Sequence, residues 1–336
     1  MSKKDNEVIK LHHKQIDLEL YNKFQDANKK KTSINDFISE FIFQFLSKQT
    51  QKAYLQDLNN FFAFLAKGGV QVLTPSDIKG PHFQLYRDEL IEKKYSSATI
   101  NRKLVAVRSF MKWSLASKLI DHNPLDIIKL PKVRTESPTV AFTDKEVLEM
   151  IKTPDLKTKK SCSDKICMIL LFSLGLRRSE LVQIKLQDIQ EDRNHFVLTI
   201  KGKGDKERIL PLSNTLMKEI KDYIYRLKSF DIELKSDDFL LQSAKKGKNN
   251  KSMDGSTVYR IIEKYAKLCG INKKVSPHSC RATAISHLLD TQNTPIRDVA
   301  IFAGHSKITT TERYDKRRNN LDKSAAYQIN YNDESA

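Results

Sequence analysis

Apolar residues recur along the first part of the chain at spacings of three and four. Phe37, Ile38, Phe41, Ile42 and Phe45 form one stripe, and Tyr54, Leu58, Phe61, Phe62 and Leu65 a second. Ile100, Leu104, Val107, Phe110, Met111 and Trp113 form another. That period is the helical 3.6 rather than the 2 of a strand, so the pattern predicts amphipathic helices packed through one face. Ser33 suits the cap of the first helix, Thr50 starts the second, and Gly68-Gly69 end it. Thr74-Pro75 begins a segment that Pro81 divides, and Ser96 or Ser97 opens the helix running to Trp113. No stretch here alternates as a strand does.

Pro124, Pro131 and Pro138 then occur with few apolar repeats, the composition of a linker over 123–141. Thr143-Asp144-Lys145-Glu146 reads as a capping box that opens a second domain. A buried helix is expected over Lys165–Leu174 and another around Arg178–Leu186. His195–Ile200 is rich in β-branched and aromatic residues and reads as a strand. Lys203–Lys206 would turn the chain and Arg208–Leu212 would return it as a second strand. Leu216–Leu227 and Ser256–Leu268 keep helical periodicity around a Lys/Asn-rich loop at 245–252. The expected fold is mainly α with a small β-hairpin or sheet. Its parts are a basic arm at 1–32, a helical domain at 33–122, the linker, a second domain at 142–318 and a tail at 319–336. Residues 1–32 read equally well as an ordered arm or a flexible tail.

Charge adds a partner to this picture. Lys and Arg number 59 against 41 Asp and Glu, a formal net charge of +18. Such an excess attracts polyanions, with nucleic acid first and an anionic membrane second. The longest strongly apolar run, Ile166–Leu176, is too short to span a bilayer, and MSKKDNEVIK has no apolar signal core, so a cytoplasmic location is expected. Cys162, Cys167, Cys269 and Cys280 form no CxxC pair and no zinc spacing, and read as reduced, mostly buried thiols. There is no GxxxxGK[ST] loop to support ATP use. On the helix through Trp113, Arg102, Lys103, Arg108 and Lys112 make a basic face that either enters a DNA groove or stays solvated. Arg102, Lys103 and Arg108, with Thr50, are the candidate DNA contacts.

Four short stretches carry candidate chemistry. In Gly175-Leu176-Arg177-Arg178-Ser179-Glu180-Leu181 an Arg follows a buried run, where its planar fork can pair with two phosphate oxygens. Lys201-Gly202-Lys203-Gly204-Asp205-Lys206-Glu207-Arg208 sets cations on a turn from which a Lys can donate a proton. Pro277-His278-Ser279-Cys280-Arg281 puts His278 and Arg281 on one helix face. Ala303-Gly304-His305 runs on to Arg313-Tyr314, with Gly304 permitting a tight turn and His305 and Tyr314 expected on consecutive short helices. Each stretch alone has a structural explanation: an ion pair, a charged turn, a common HxxR, a tyrosine near a C-terminus.

Together these residues resemble the tyrosine site-specific recombinases of the phage integrase family. The likeness extends from about Ser33 to Tyr327, and its ordered set is Arg177, Lys203, His278, Arg281, His305 and Tyr314. The resemblance implies a two-domain DNA clamp, a helical SAM-like core-binding domain followed by the catalytic domain. It makes Tyr314 the nucleophile that forms a 3′-phosphotyrosyl bond and His278 its assistant. Arg177 and Arg281 would clamp the phosphate, with a further hydrogen bond from His305. Lys203 would be the general acid, with Lys201 and Lys206 as competitors on the same turn. Glu180 would support the site from behind or be a surface or helix-capping residue. Neither metal, ATP nor another cofactor is implied.

Within the family the chain looks most like the bacterial Xer group, and its arm at 1–32 brings it closer to the single-recombinase, XerH-like type. That resemblance implies chromosome dimer resolution by four protomers on two double-stranded DNA sites, with a septal DNA translocase as a possible activator. The tail, carrying Leu321, Ala325, Ala326 and Ile329, would dock on a neighbouring protomer or on its own domain. An integrase of a phage or mobile element, a type IB topoisomerase-like enzyme and a non-catalytic DNA-binding protein are the competing readings.

Overall fold

The computed structural model describes residues 33–128, 130, 140–202, 207–243 and 251–315. The arm at 1–32, Lys203 with its turn, and the tail at 319–336 lie outside these residues. The chain divides into two compact units, Met1–Arg134 and Thr135–Ala336.

In the first unit the apolar stripes become α1 (Ile34–Phe43), α2 (Lys48–Lys67), α3 (Gly80–Glu92) and α4 (Ser97–Ala116). Ser33 and Asp36 close a capping box on α1. Helix α2 starts earlier than its sequence suggests. Ser47 is the cap, its hydroxyl accepting from the Thr50 amide, so Thr50 sits inside the first turn. The Thr74-Pro75 segment forms a single 3-10 turn, Pro75–Asp77, and Pro81 lies at the start of α3, where its missing N–H costs nothing. Phe41, Phe61, Phe83, Leu104 and Phe110 fill the core, with Phe41 and Phe110 edge to face at 5.5 Å.

The stretch read as a linker begins inside this core. Leu125 and Ile128 are buried in it. Arg108 donates to the carbonyls of both and lies over the Phe83 ring at 5.9 Å.

The second unit is built around α6 (Lys159–Leu174), buried along most of its length because apolar residues continue on every side. Helix α5 (Asp144–Lys152) precedes it, opened by the Thr143–Glu146 capping box. Helix α7 is only Arg178–Leu181, shorter than its apolar pattern suggests. The chain leaves it to pair with a distant segment: Leu186 donates to Asp238, Gln187 to Ser236, and Leu240 to Ile184.

The expected hairpin is present as β2 (His195–Lys201) and β3 (Glu207–Pro211), and an unexpected β1 (Ile189–Asp192) extends it to an antiparallel three-stranded sheet. Leu198 faces Ile189 on one side and Leu210 on the other. The remaining helices are α8 (Asn214–Lys228), α9 (Gly255–Leu268), α10 (Pro277–Asp290), α11 (Ile296–Ala303) and α12 (Ile308–Glu312). Both α8 and α10 pack on α6. All four cysteines are free thiols, and Cys162, Cys167 and Cys280 are buried. No helix among the described residues is long and apolar enough to cross a membrane.

Candidate active site

Two helix ends organise the site. Gly175 closes α6 and Gly304 closes α11 with left-handed backbones, φ +55° and +64°. Glycine takes this conformation without a Cβ penalty, and such an ending leaves carbonyls facing outward. The arginines dock on them. Arg281, on the first turns of α10, is only 2% exposed, and its guanidinium donates to the carbonyls of Gly175 (2.7 Å) and Ala303. Arg177, the cap of α7, donates to the Gly304 carbonyl at 2.8 Å. Cations are favoured at helix C-termini by the helix dipole. A guanidinium has five N–H donors, so both arginines keep donors for a ligand, and both line a cleft of about 260 Å³.

Glu180 ties this arrangement together. Its buried carboxylate accepts from the Arg177 amide (2.8 Å) and the Arg177 guanidinium (2.7 Å). It also takes a two-pronged contact from Arg208 on β3, at 3.0 and 2.9 Å. Burial works to raise the carboxyl's pKa, but the hydrogen bonds from Arg208 and Arg177 outweigh it and hold the group at about 2. Glu180 is therefore a charged anchor inside the unit rather than a surface residue. The sequence pattern marks Arg208 only as part of a strand. The signal that could have found it is its charge at i−2 from Leu210, on the face of the strand that carries the buried leucines.

The nucleophile candidate meets its partner directly. Tyr314, just beyond α12 and 7% exposed, places its hydroxyl 3.0 Å from His278 Nε2. With the ring proton on Nδ1, the phenol is the donor. Burial of the His278 ring, with the charges of Arg281 and Arg177, lowers its pKa, which favours that neutral acceptor state. Burial raises the Tyr314 pKa, and the same arginines oppose the rise.

His305 lies in the turn between α11 and α12 rather than on a helix. It stacks on the Tyr314 ring, centroids 6.0 Å apart at 11°, and its Nδ1 shares a 2.8 Å hydrogen bond with buried Thr311. Burial and the nearby cations bring its pKa down to about 4. Thr311 and Ser286, whose hydroxyl donates to the Tyr314 carbonyl at 3.2 Å, are positioning residues that the sequence does not single out.

Arg177, His278, Arg281, His305, Glu180 and Tyr314 are thus brought into one network of contacts. Lys203 lies outside the described residues, as does Lys206. Lys201 is described and sits 3.9 Å from Glu207.

The candidate DNA contacts in the first unit fare differently. Thr50 is partly buried in the first turn of α2. Arg102 pairs with buried Asp57 yet keeps 54% of its side chain exposed. Lys103 is buried 3.6 Å from the same Asp57, and Arg108 is turned onto backbone carbonyls. Lys103 and Arg108 are thus engaged in contacts within the unit, and Arg102 keeps the more exposed side chain.

The sequence pattern of the Phage integrase family matches residues 141–320, and that of the phage integrase N-terminal SAM-like domain matches residues 34–118. A protein named tyrosine recombinase from Pseudothermotoga lettingae is 31% identical over 271 residues, covering 80% of this chain and 87% of its own. Tyrosine recombinase XerD of Staphylococcus haemolyticus is 29% identical over 269 residues, covering 80% and 88%. The fold is also similar to XerH site-specific recombinase in a post-cleavage complex with a palindromic difH substrate: TM-score 0.63, 16% identity, 89% of this chain and 91% of that one. A lambda integrase tetramer bound to a Holliday junction gives TM-score 0.65 at 14% identity, covering 87% and 79%. The chain belongs to the phage integrase family and is a Xer-like tyrosine recombinase, an enzyme that cleaves and rejoins DNA strands.

Proposed function

We propose that Tyr314 attacks a backbone phosphorus of duplex DNA and forms a 3′-phosphotyrosyl bond, releasing a free 5′ hydroxyl. The observation that carries this reading is the 3.0 Å contact between the Tyr314 hydroxyl and His278 Nε2 beside two arginines. A phenol with a pKa near ~10 is a weak nucleophile at neutral pH, so its proton must leave as it attacks. His278 takes that proton. Arg177 and Arg281 hold the non-bridging oxygens and offset the charge of the transition state, and His305 adds a hydrogen bond. Lys203 gives the departing 5′ oxygen its proton, with Lys201 and Lys206 as the competing donors. One P–O bond forms as another breaks, so the phosphoester energy is retained and the reverse attack rejoins the strands.

Relatives named XerC and XerD support a Xer-type role, the resolution of chromosome dimers by a homotetramer acting on two DNA sites. A septal DNA translocase as activator belongs to the same role. Sequencing the DNA covalently trapped on the protein in its native cells tests it. A Xer role gives recovery at one chromosomal site of inverted-repeat form. Recovery at the ends of a phage or mobile element would replace it with an integrase role.

A further inference from the structure

Arg177 and Arg178 are neighbours in sequence but leave the start of α7 for different surroundings. Arg177 turns to Glu180 and Gly304. Arg178 is exposed and extends to the beginning of α9, where it lies against Gly255. A Cβ at Gly255 would stand 3.1 Å from Arg178 Nε and 3.3 Å from its Cδ, so the absence of a side chain there leaves the room that the arginine stem occupies.

The cleft that holds Arg177, His278 and Arg281 is also lined by Arg178, Ser276 and Tyr259. Glu180 is already shared between Arg177 and Arg208, and Arg178 has no carboxylate partner among the described residues. The cleft therefore carries one cation more than the phosphate clamp uses. A hydroxyl from Ser276 and a phenol from Tyr259, which is 36% exposed, share the wall with it. A planar guanidinium with nearby hydroxyls is the donor set that binds phosphate oxygens.

We infer that Arg178, with Ser276 and Tyr259, forms a second phosphate subsite that holds a backbone phosphate flanking the one attacked. It rests on the reading that Tyr314 cleaves DNA. Its role is to fix the strand's position in the cleft, and it takes no part in bond making.

The test uses the full-length protein and a nicked duplex bearing the sequence recovered from DNA bound to the protein in its native cells after formaldehyde crosslinking. Arg178→Gln lowers affinity by ~10-fold and reduces the salt dependence of binding by about one phosphate contact, while covalent adduct still forms at saturating DNA. Neutralising single flanking phosphates as methylphosphonates weakens the wild-type protein at one position and has no further effect on Arg178→Gln there. Gly255→Ala, which presses on the Arg178 stem, gives a smaller loss at that position. Wild-type affinity and salt slope in Arg178→Gln, or equal sensitivity of both proteins at every methylphosphonate, would overturn the subsite. Absence of adduct from the wild-type protein would overturn the cleavage reading itself.

Discussion

The Tyr314 hydroxyl and the His278 imidazole meet at 3.0 Å although 36 residues separate them in the chain. Tyr314 follows α12, His278 stands on the first turn of α10, and the contact holds the phenol beside both arginines.

With His278 as the proposed proton acceptor, this relationship sets the pH dependence of cleavage. His278 must be neutral to accept the proton, and burial together with Arg281 and Arg177 lowers its pKa below the ordinary 6.5. The neutral form therefore persists through neutral pH and is lost only as pH falls below that value. Single-turnover cleavage should be level around neutrality and decline on the acid side with a midpoint below 6.5. His278→Gln should remove most of the rate and flatten that acid limb. A His278→Gln enzyme with the same acid limb as the wild type would assign it to another group.

Glu180 is expected to carry stability as well as geometry. Its side chain is 4% exposed and faces Arg208 at 12% exposure, and breaking a buried ion pair by removing one charge typically costs ~3–5 kcal/mol. Urea denaturation of Glu180→Gln should show a loss of about 3 kcal/mol. The carboxyl's folded pKa of about 2 lies below its ordinary 4.5. Its contribution is thus full above pH 4.5 and disappears as pH falls toward 2, so the variant should lose less stability than the wild type across that window. A loss under about 1 kcal/mol would mean that the two arginines are not held by this carboxylate.

Gly304→Ala combines two penalties. The residue has φ +64°, and an added Cβ would lie 2.9 Å from Arg208 Nη1. Gly270 has a similar φ of +68°, and a Cβ added there would meet nothing within 4 Å, which makes Gly270→Ala the control for backbone strain alone. That strain is worth ~1–2 kcal/mol. Thermal unfolding should show the larger loss in Gly304→Ala, accompanied by reduced cleavage. Equal melting shifts in the two variants would show that the contact with Arg208 is without consequence.

In the first unit, Arg108 and Arg102 should separate by assay. Arg108 is spent on the carbonyls of Leu125 and Ile128, so Arg108→Ala should lower stability by ~2 kcal/mol and leave the salt slope of DNA binding unchanged. Arg102 is more than half exposed, so Arg102→Ala should reduce that slope by about one contact. Fluorescence-monitored binding over a salt series measures both, and a reduced slope for Arg108→Ala would return that residue to the DNA surface.

The helices were legible wherever one apolar face meets one core, as in α2, α4, α8 and α9, and caps such as Ser33 and Thr143 could be read from residue type. Thr50 misled because Ser47 stands three residues earlier and takes the cap. The strand β1, Ile-Gln-Glu-Asp, was invisible because only Ile189 along it is even partly buried, and its identity comes from pairing with β2. The run after Arg178 has helical periodicity, but backbone pairing with residues 236–240 overrides it. Pro124 marked a linker, yet Leu125 is completely buried because Arg108 fixes the backbone around it.

Most of the candidate site was legible as an ordered series of residue types. Its convergence was not, since Arg208 reaches Glu180 across 28 positions and Arg281 reaches Gly175 across 106. The clamp depends on helix-end carbonyls, which no side-chain motif displays.

Covalent bonding of Tyr314 to DNA is tested most directly by mass spectrometry of the protein–DNA adduct after nuclease and protease digestion. The expected result is a nucleotide joined through its phosphate to the peptide containing Tyr314, and an SDS-stable adduct that is lost in Tyr314→Phe while DNA binding remains. An adduct that persists in Tyr314→Phe, or a modified peptide elsewhere in the chain, would contradict it.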